Sequence, residues 1–213
     1  MIIGNGLMAT ACKNIDREGV LFFASGVSDS SETDSRKFQR EEDLLLTNIE
    51  TDKLFIYFGA IGGSELYLRH KYNMQNIIMQ NVDNYIILNL SQVVGKGGNE
   101  KTLFNAFRKS LLNGKEITVY RDCLRSFIDI EDVMYVLDWF ISLRNYGVHN
   151  FYGIEPLPVN LIVQLMAEAL GMKACMATTE GTYIKIDNSI SVQRLIVGIK
   201  TKDYTKRLIN KYI

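Results

Sequence analysis

Two groups of residues in this chain have the types and spacing for chemistry on a phosphorylated ligand. The first opens the sequence, where Ile2-Ile3-Gly4-Asn5-Gly6-Leu7-Met8-Ala9 reads as a very short apolar strand, a G-x-G-x-x-A turn and the start of a helix. In that pattern the first glycine permits a tight turn and the second removes a Cβ, so that backbone can approach a pyrophosphate. The small third residue lets helix and strand pack closely, and amides at the helix N-terminus would face the phosphates. An ordinary strand-to-helix turn fits the same residues. The second group is Tyr67-Leu68-Arg69-His70-Lys71. A tyrosine and a lysine four apart share one helix face, so the spacing predicts an ammonium that stabilises a phenolate and lowers the phenol's pKa toward neutrality. Such a tyrosine can pass a proton to or from a sugar hydroxyl or carbonyl oxygen while hydride moves to a nicotinamide. An exposed helix face with i,i+4 contacts accounts for the spacing equally well.

The elements that must position these residues read as short apolar strands alternating with longer helical stretches, the pattern of a parallel sheet covered on both faces. Strands are predicted at 1–3, 20–25, 54–58, 85–90 and 117–120. Helices are predicted from Leu7 to about Asn14, near 34–49 (polar in its first half), near 64–80, at 100–113, at 130–144 with Asp129 as N-cap, and at 159–170 stopping at Gly171. A complete dinucleotide fingerprint carries an acidic residue about 20 residues after the turn, at the tip of a second strand. Here the strand Val20 to Ser25 ends in Ser25-Gly26 without one. The adenine half of the usual site is therefore abbreviated or absent.

Composition removes several alternatives. With 47% hydrophobic residues in 213, the chain can bury a core without metals or disulfides. The 24 basic and 24 acidic residues cancel, so no net field attracts nucleic acid or an anionic membrane. Three scattered cysteines read as reduced thiols, and two distant histidines do not suggest a metal site. No apolar run approaches the roughly 18 residues of a membrane span, and no secretory pattern opens the chain. No linker or repeat marks a boundary, so one domain is expected over 1–213, with residues from about 115 forming a small C-terminal cap. Tyr120, Phe127, Tyr135, Trp139 and Phe140 are expected to pack, since no basic stripe interleaves them.

Four stretches together resemble the extended short-chain dehydrogenase/reductases, the nucleotide-sugar epimerase/dehydratase group. They are Gly4 to Ala9; Phe22 to Ser30, similar to that family's fourth strand and following loop; Tyr67 to Lys71; and the run from Tyr85 through Gly97 to Val133 that includes Arg121-Asp122-Cys123-Leu124-Arg125-Ser126-Phe127-Ile128. The resemblance implies a Rossmann-like, doubly wound, mainly parallel sheet, abbreviated by about two strand-helix units, the units that would supply the ribose acid and adenine pocket. It implies NAD or NADP held by Gly4, Asn5, Gly6, Leu7, Met8, Ala9, Ser25 and Lys71, with proton transfer by Tyr67, Lys71 and a serine or threonine. That hydroxyl is expected just after the 54–58 strand, but Gly59 and Ala60 lack one; Ser64 is the nearest substitute and fits a helix N-cap as well. On the substrate side the resemblance implies Gln92, Lys96 and Arg125. Arg125 would grip a diphosphate with paired N–H donors, or else pair with Asp122 or Asp129 at the surface. Lys96 would meet phosphate or remain a solvated loop residue.

The resemblance thus implies an NAD(P)-dependent reductase or epimerase acting on a nucleotide-activated sugar, in cytoplasmic surface-polysaccharide precursor synthesis. It implies a homodimer built through segments 34–49 and 64–80. The deleted strands and Gly59 keep a second expectation open, a catalytically degenerate relative that binds a nucleotide or nucleotide sugar or scaffolds a partner enzyme. A third is a protein that retains only the fold and dimer surface.

Overall fold

The computed structural model describes residues 1–180, 199 and 202–213. In chain order its elements are β1 (Ile2–Ile3), α1 (Leu7–Cys12), β2 (Val20–Phe23), α2 (Ser35–Asn48), β3 (Leu54–Ala60), α3 (Glu65–Asn81), β4 (Tyr85–Leu90), β5 (Gln92–Val94), α4 (Leu103–Leu112), β6 (Ile117–Tyr120), β7 (Leu124–Arg125), β8 (Phe127–Asp129), α5 (Ile130–Ser142), β9 (Gly147–Phe151), β10 (Leu157–Pro158), α6 (Val159–Leu170), β11 (Met176–Thr179) and α7 (Tyr204–Tyr212). They fall into two compact units that interleave along the chain. The first comprises Met1–Leu90 and Ile130–Phe151, and the second Ser91–Asp129 and the described residues from Tyr152 onward. The second unit begins at Ser91, and the chain returns to the first unit for α5 and β9.

The first unit is a five-stranded, wholly parallel sheet in the order β1-β2-β3-β4-β9. Strands buried on both faces read as continuous apolar runs, and Val20-Leu21-Phe22-Phe23 is buried at every position. Leu21, Phe23, Phe55, Tyr57 and Ile87 turn to the face covered by Leu45 and Ile49 of α2 and its continuation and by Met74 and Ile78 of α3. The alternate residues Phe22, Ile56, Ile86 and Leu88, none of them exposed, turn to the other face, where α1 packs on α5.

That arrangement breaks a topological rule. The connections β1-α1-β2 and β2-α2-β3 step the same way across the sheet but carry their helices on opposite faces, so they have opposite hands. About 98% of such crossovers are right-handed. In a complete dinucleotide fold the first helix leads to strands on the far side of the first strand. Here α1 leads instead to β2, on the side of β1 where β3, β4 and β9 follow.

In the second unit three short ladders, β5 with β8, β6 with β11 and β7 with β10, surround helices α4, α6 and α7. Phe104, Phe107, Phe127, Ile162, Val163, Met166, Leu208 and Ile209 fill its core. Helix α6 ends at Gly171 in the left-handed region, φ +65°. The Asp129 carboxylate, expected at an N-cap, accepts from Lys211 Nζ at 2.8 Å and from the Tyr212 hydroxyl at 2.7 Å, which fastens α7 to the end of β8. Of the aromatics expected to pack, Phe127 and Phe140 are fully buried, whereas Tyr120 and Tyr135 are about half exposed.

Candidate functional site

The glycine turn is fixed by the parallel pairing of β1 with β2. Ile3 lies opposite Phe23, and the Ala24 amide donates to the Ile3 carbonyl at 2.8 Å, which lays the turn against the chain leaving β2. Gly4 has φ +125°, and a Cβ there would run into the Ala24 carbonyl and stand 3.0 Å from the Ser25 nitrogen. The backbone therefore demands glycine at 4. Gly6, the residue capping α1, has φ −81° and nothing within 4 Å of where a Cβ would stand. Ala9 is buried at the start of the helix. Helix α1 ends at Cys12, two residues short of its expected limit, and burial, reinforced by Asp16, raises the Cys12 thiol to about 12.

The second expected group sits at the start of α3, where Lys71 meets a partner that the sequence spacing does not show. Ser64 is the N-cap: its Oγ accepts from the Tyr67 amide at 3.3 Å, so the helix begins with its hydroxyl engaged. Tyr67 is buried, and Lys71 Nζ lies 5.7 Å from the centroid of its ring. The ammonium does not serve the phenol. It donates at 2.8 Å to Oε1 of Glu41, a residue of α2 with no exposed surface. Burial first, then the negative charges of Glu41 and Asp29, hold the Tyr67 phenol above its ordinary range, opposite to the expected direction.

Glu41 collects donors from three further positions. The Tyr57 hydroxyl donates to Oε1 at 2.9 Å, the Val27 amide to Oε2 at 2.7 Å, and His70 Nε2 stands 3.1 Å from Oε2. An ionised carboxylate only accepts, so that ring nitrogen carries a hydrogen. Burial alone would raise the Glu41 carboxyl. The Lys71 charge and the hydrogen bonds from His70, Lys71 and the Val27 amide together outweigh it and hold the group at about 2. Phe38 of α2 packs against His70, with ring centroids 4.7 Å apart and planes tilted by 32°. Sequence reasoning missed Glu41 because Arg40-Glu41-Glu42-Asp43 reads as one solvated charge run, and His70 because a lone histidine carries no motif. The available signal was spacing: Glu41 and Leu45 are the only buried side chains of α2.

At the end of β3, packing accounts for the lack of a hydroxyl at Gly59. The space a side chain at Gly59 would need is taken by the Asn89 amide, whose Nδ2 donates to Asn150 Oδ1 at 3.0 Å. The three substrate-side residues lie in the second unit. Gln92 begins β5, Lys96 is exposed in the glycine-rich loop after it, and Arg125 in β7 donates from Nη1 to its neighbour's carbonyl, Leu124 O, at 2.9 Å. With Asp129 held by Lys211 and Tyr212, the expected Arg125–Asp129 pair is replaced. Among the described residues no cluster of three or more His, Cys, Asp or Glu could hold a metal, and no helix is long and apolar enough to cross a membrane.

The fold resembles those of several solved structures. It superposes on a dTDP-4-dehydrorhamnose reductase from Bacillus anthracis, solved with NADP, with a TM-score of 0.71 and 12% identity over 96% of this chain and 83% of that one. The likeness is one of fold, and this chain carries that fold in shortened form. A UDP-N-acetylglucosamine 4-epimerase from Methanobrevibacter ruminantium, solved with UDP-N-acetylmuramic acid, gives a TM-score of 0.68 and 15% identity over 99% of this chain and 81% of that one. Both reductase-fold neighbours are longer than this chain, as an abbreviated sheet requires. No family model matches. A polyphosphate kinase from Burkholderia vietnamiensis is 25% identical over 101 residues, 46% of this chain but only 14% of that relative's length.

Proposed function

We propose that this chain is an NAD(P)-dependent reductase or epimerase of nucleotide-activated sugars, holding NAD or NADP along the carboxyl ends of β1 and β2. The observation that carries the reading is continuity. Gly4 abuts Ala24 and Ser25, and Gly26 abuts the Lys71 ammonium, so the glycine turn, Ser25 and Lys71 form one strip at the sheet edge where open α/β folds bind ligands. The residues fit a pyrophosphate at Gly4 to Ala9: the fold itself does not need glycine at 6, whereas close approach of a ligand does. They do not fit the adenosine ribose in the usual way, because Ala24-Ser25-Gly26 provides no acid there.

When bound, the nicotinamide supplies the hydride donor or acceptor. Tyr67 carries the proton to or from the sugar oxygen, with Ser64 the nearest hydroxyl along the chain. Gln92, Lys96 and Arg125 recognise the nucleotide sugar. The expected setting is cytoplasmic synthesis of surface-polysaccharide precursors. Leu46 on α2 and Leu66, Tyr72 and Met79 on α3 are exposed apolar side chains on the two helices expected to form a homodimer.

A second reading, a relative that binds nucleotide or nucleotide sugar without turnover, is favoured by one observation, the burial of Lys71 against Glu41. Single-turnover hydride transfer, from NADH or NADPH to keto forms of nucleotide sugars and from unoxidised nucleotide sugars to NAD or NADP, separates the two. Transfer abolished by Tyr67→Phe supports the enzyme. Ligand binding with no transfer supports the binding protein.

A further inference from the structure

We propose that Glu41 is an internal ligand of Lys71, a built-in competitor that draws the ammonium away from the Tyr67 hydroxyl and from the oxygen atoms of an incoming nucleotide. Glu41 is a positioning residue, acting on Tyr67 through Lys71. Its meaning for turnover rests on the proposed role of Tyr67, but the competition itself does not.

Donors converge on this carboxylate from β3, α3 and the segment after β2, and the side chain has no exposed surface. Stability alone does not call for a charge at this place, since well-packed apolar side chains commonly replace a buried ion pair at no loss. The neighbouring backbone is fitted to the pair. A Cβ on Gly26 would stand 2.8 Å from both Glu41 Oε1 and Lys71 Nζ, so the chain leaving β2 runs directly over it, two residues beyond the Ala24 carbonyl that Gly4 abuts. A nucleotide lying along that strip meets Lys71 only in competition with a carboxylate already tethered 2.8 Å away, at the high effective concentration that an intramolecular partner enjoys.

The charged and titratable groups that act on the Tyr67 phenol are Asp29 from the segment after β2, Glu41 from α2, Tyr57 from β3 and Lys71 from α3, with His70 of α3 facing Glu41. Glu41 both repels a phenolate and holds the cation that would stabilise it.

The test is alkaline spectrophotometric titration of wild type and Glu41→Gln, each with and without Tyr67→Phe, so that the difference isolates Tyr67. The same proteins are titrated with NADH and NADPH. Tyr67 is expected to ionise about one pH unit or more lower in Glu41→Gln, with nucleotide binding about tenfold tighter. A folded Glu41→Gln protein in which Tyr67 ionises as in wild type overturns the inference. A shifted Tyr67 in proteins that bind neither nucleotide supports the competition and overturns the proposed enzymatic function instead. Should Glu41→Gln fail to fold, urea unfolding of Lys71→Met and Lys71→Met/Glu41→Leu decides. A higher midpoint for the double variant supports an ionised Glu41 bound to Lys71, and a lower one overturns it.

Discussion

At the glycine turn the chain leaves space, and at the Tyr67 corner it fills space with its own side chains. Both regions lie on the strip formed by the carboxyl ends of β1 and β2. At one end Gly6 opens onto nothing within 4 Å. At the other, an ammonium suited to a ligand is held in a buried ion pair. The difference separates two requirements that a motif search merges. A backbone cradle survives deletion of neighbouring strands because β1 and β2 alone build it, whereas a side-chain constellation depends on what every packed element contributes.

The largest expected effect comes from breaking the filled region. Lys71→Met leaves the Glu41 carboxylate buried with its counter-charge gone and is expected to cost about 3–5 kcal/mol in urea unfolding. A loss within the noise of a surface substitution would show that the pair is solvated. Acid should act on the same group. The Glu41 pKa is lowered in the folded protein to about 2 from 4.5, so the unfolded chain binds the extra proton and stability falls with falling pH between those values. The loss is on the order of 3 kcal/mol, complete below the folded value and flattened in Glu41→Gln, as pH-dependent unfolding can measure.

Substitutions in the turn sharpen the contrast at smaller scale. Gly4→Val, forced to φ +125° against the Ala24 carbonyl, should cost at least about 1–3 kcal/mol. Gly6→Val should cost no more than about 1 kcal/mol, the difference between a glycine and an apolar cap. Equal losses at the two positions would mean that Gly6 is as structurally constrained as Gly4. Smallest is Ser64→Ala, which removes the α3 cap for about 1 kcal/mol in thermal unfolding without exposing any charge.

The strands at 1–3, 20–25, 54–58, 85–90 and 117–120 and the helices from 34 to 170 were legible because doubly buried strands and amphipathic helices write their periods into the sequence. Strand β9 was not, since Gly147-Val148-His149-Asn150-Phe151 lacks both alternation and a continuous apolar run, and its place beside β4 is set by tertiary pairing. The turn at Gly4 and Gly6 was legible because backbone geometry depends on adjacent residues. The state of Tyr67 was not. The i,i+4 spacing placed Lys71 correctly on α3, but its partner lies 30 residues away on α2, and no local pattern distinguishes Glu41 from the exposed acids beside it. Likewise the filling of the Gly59 space by Asn89 comes from a neighbouring strand, which explains why a missing hydroxyl was visible in the sequence and its replacement was not.

Calorimetric titration of wild type and Gly6→Val with NADH and NADPH, on protein freed of copurified nucleotide, tests most directly whether the space left at the turn is a dinucleotide site. The account predicts saturable binding of at least one nucleotide by wild type and none by a Gly6→Val protein that retains its unfolding midpoint to within about 1 kcal/mol. Absence of heat up to millimolar nucleotide, or equal binding by the two proteins, would contradict it.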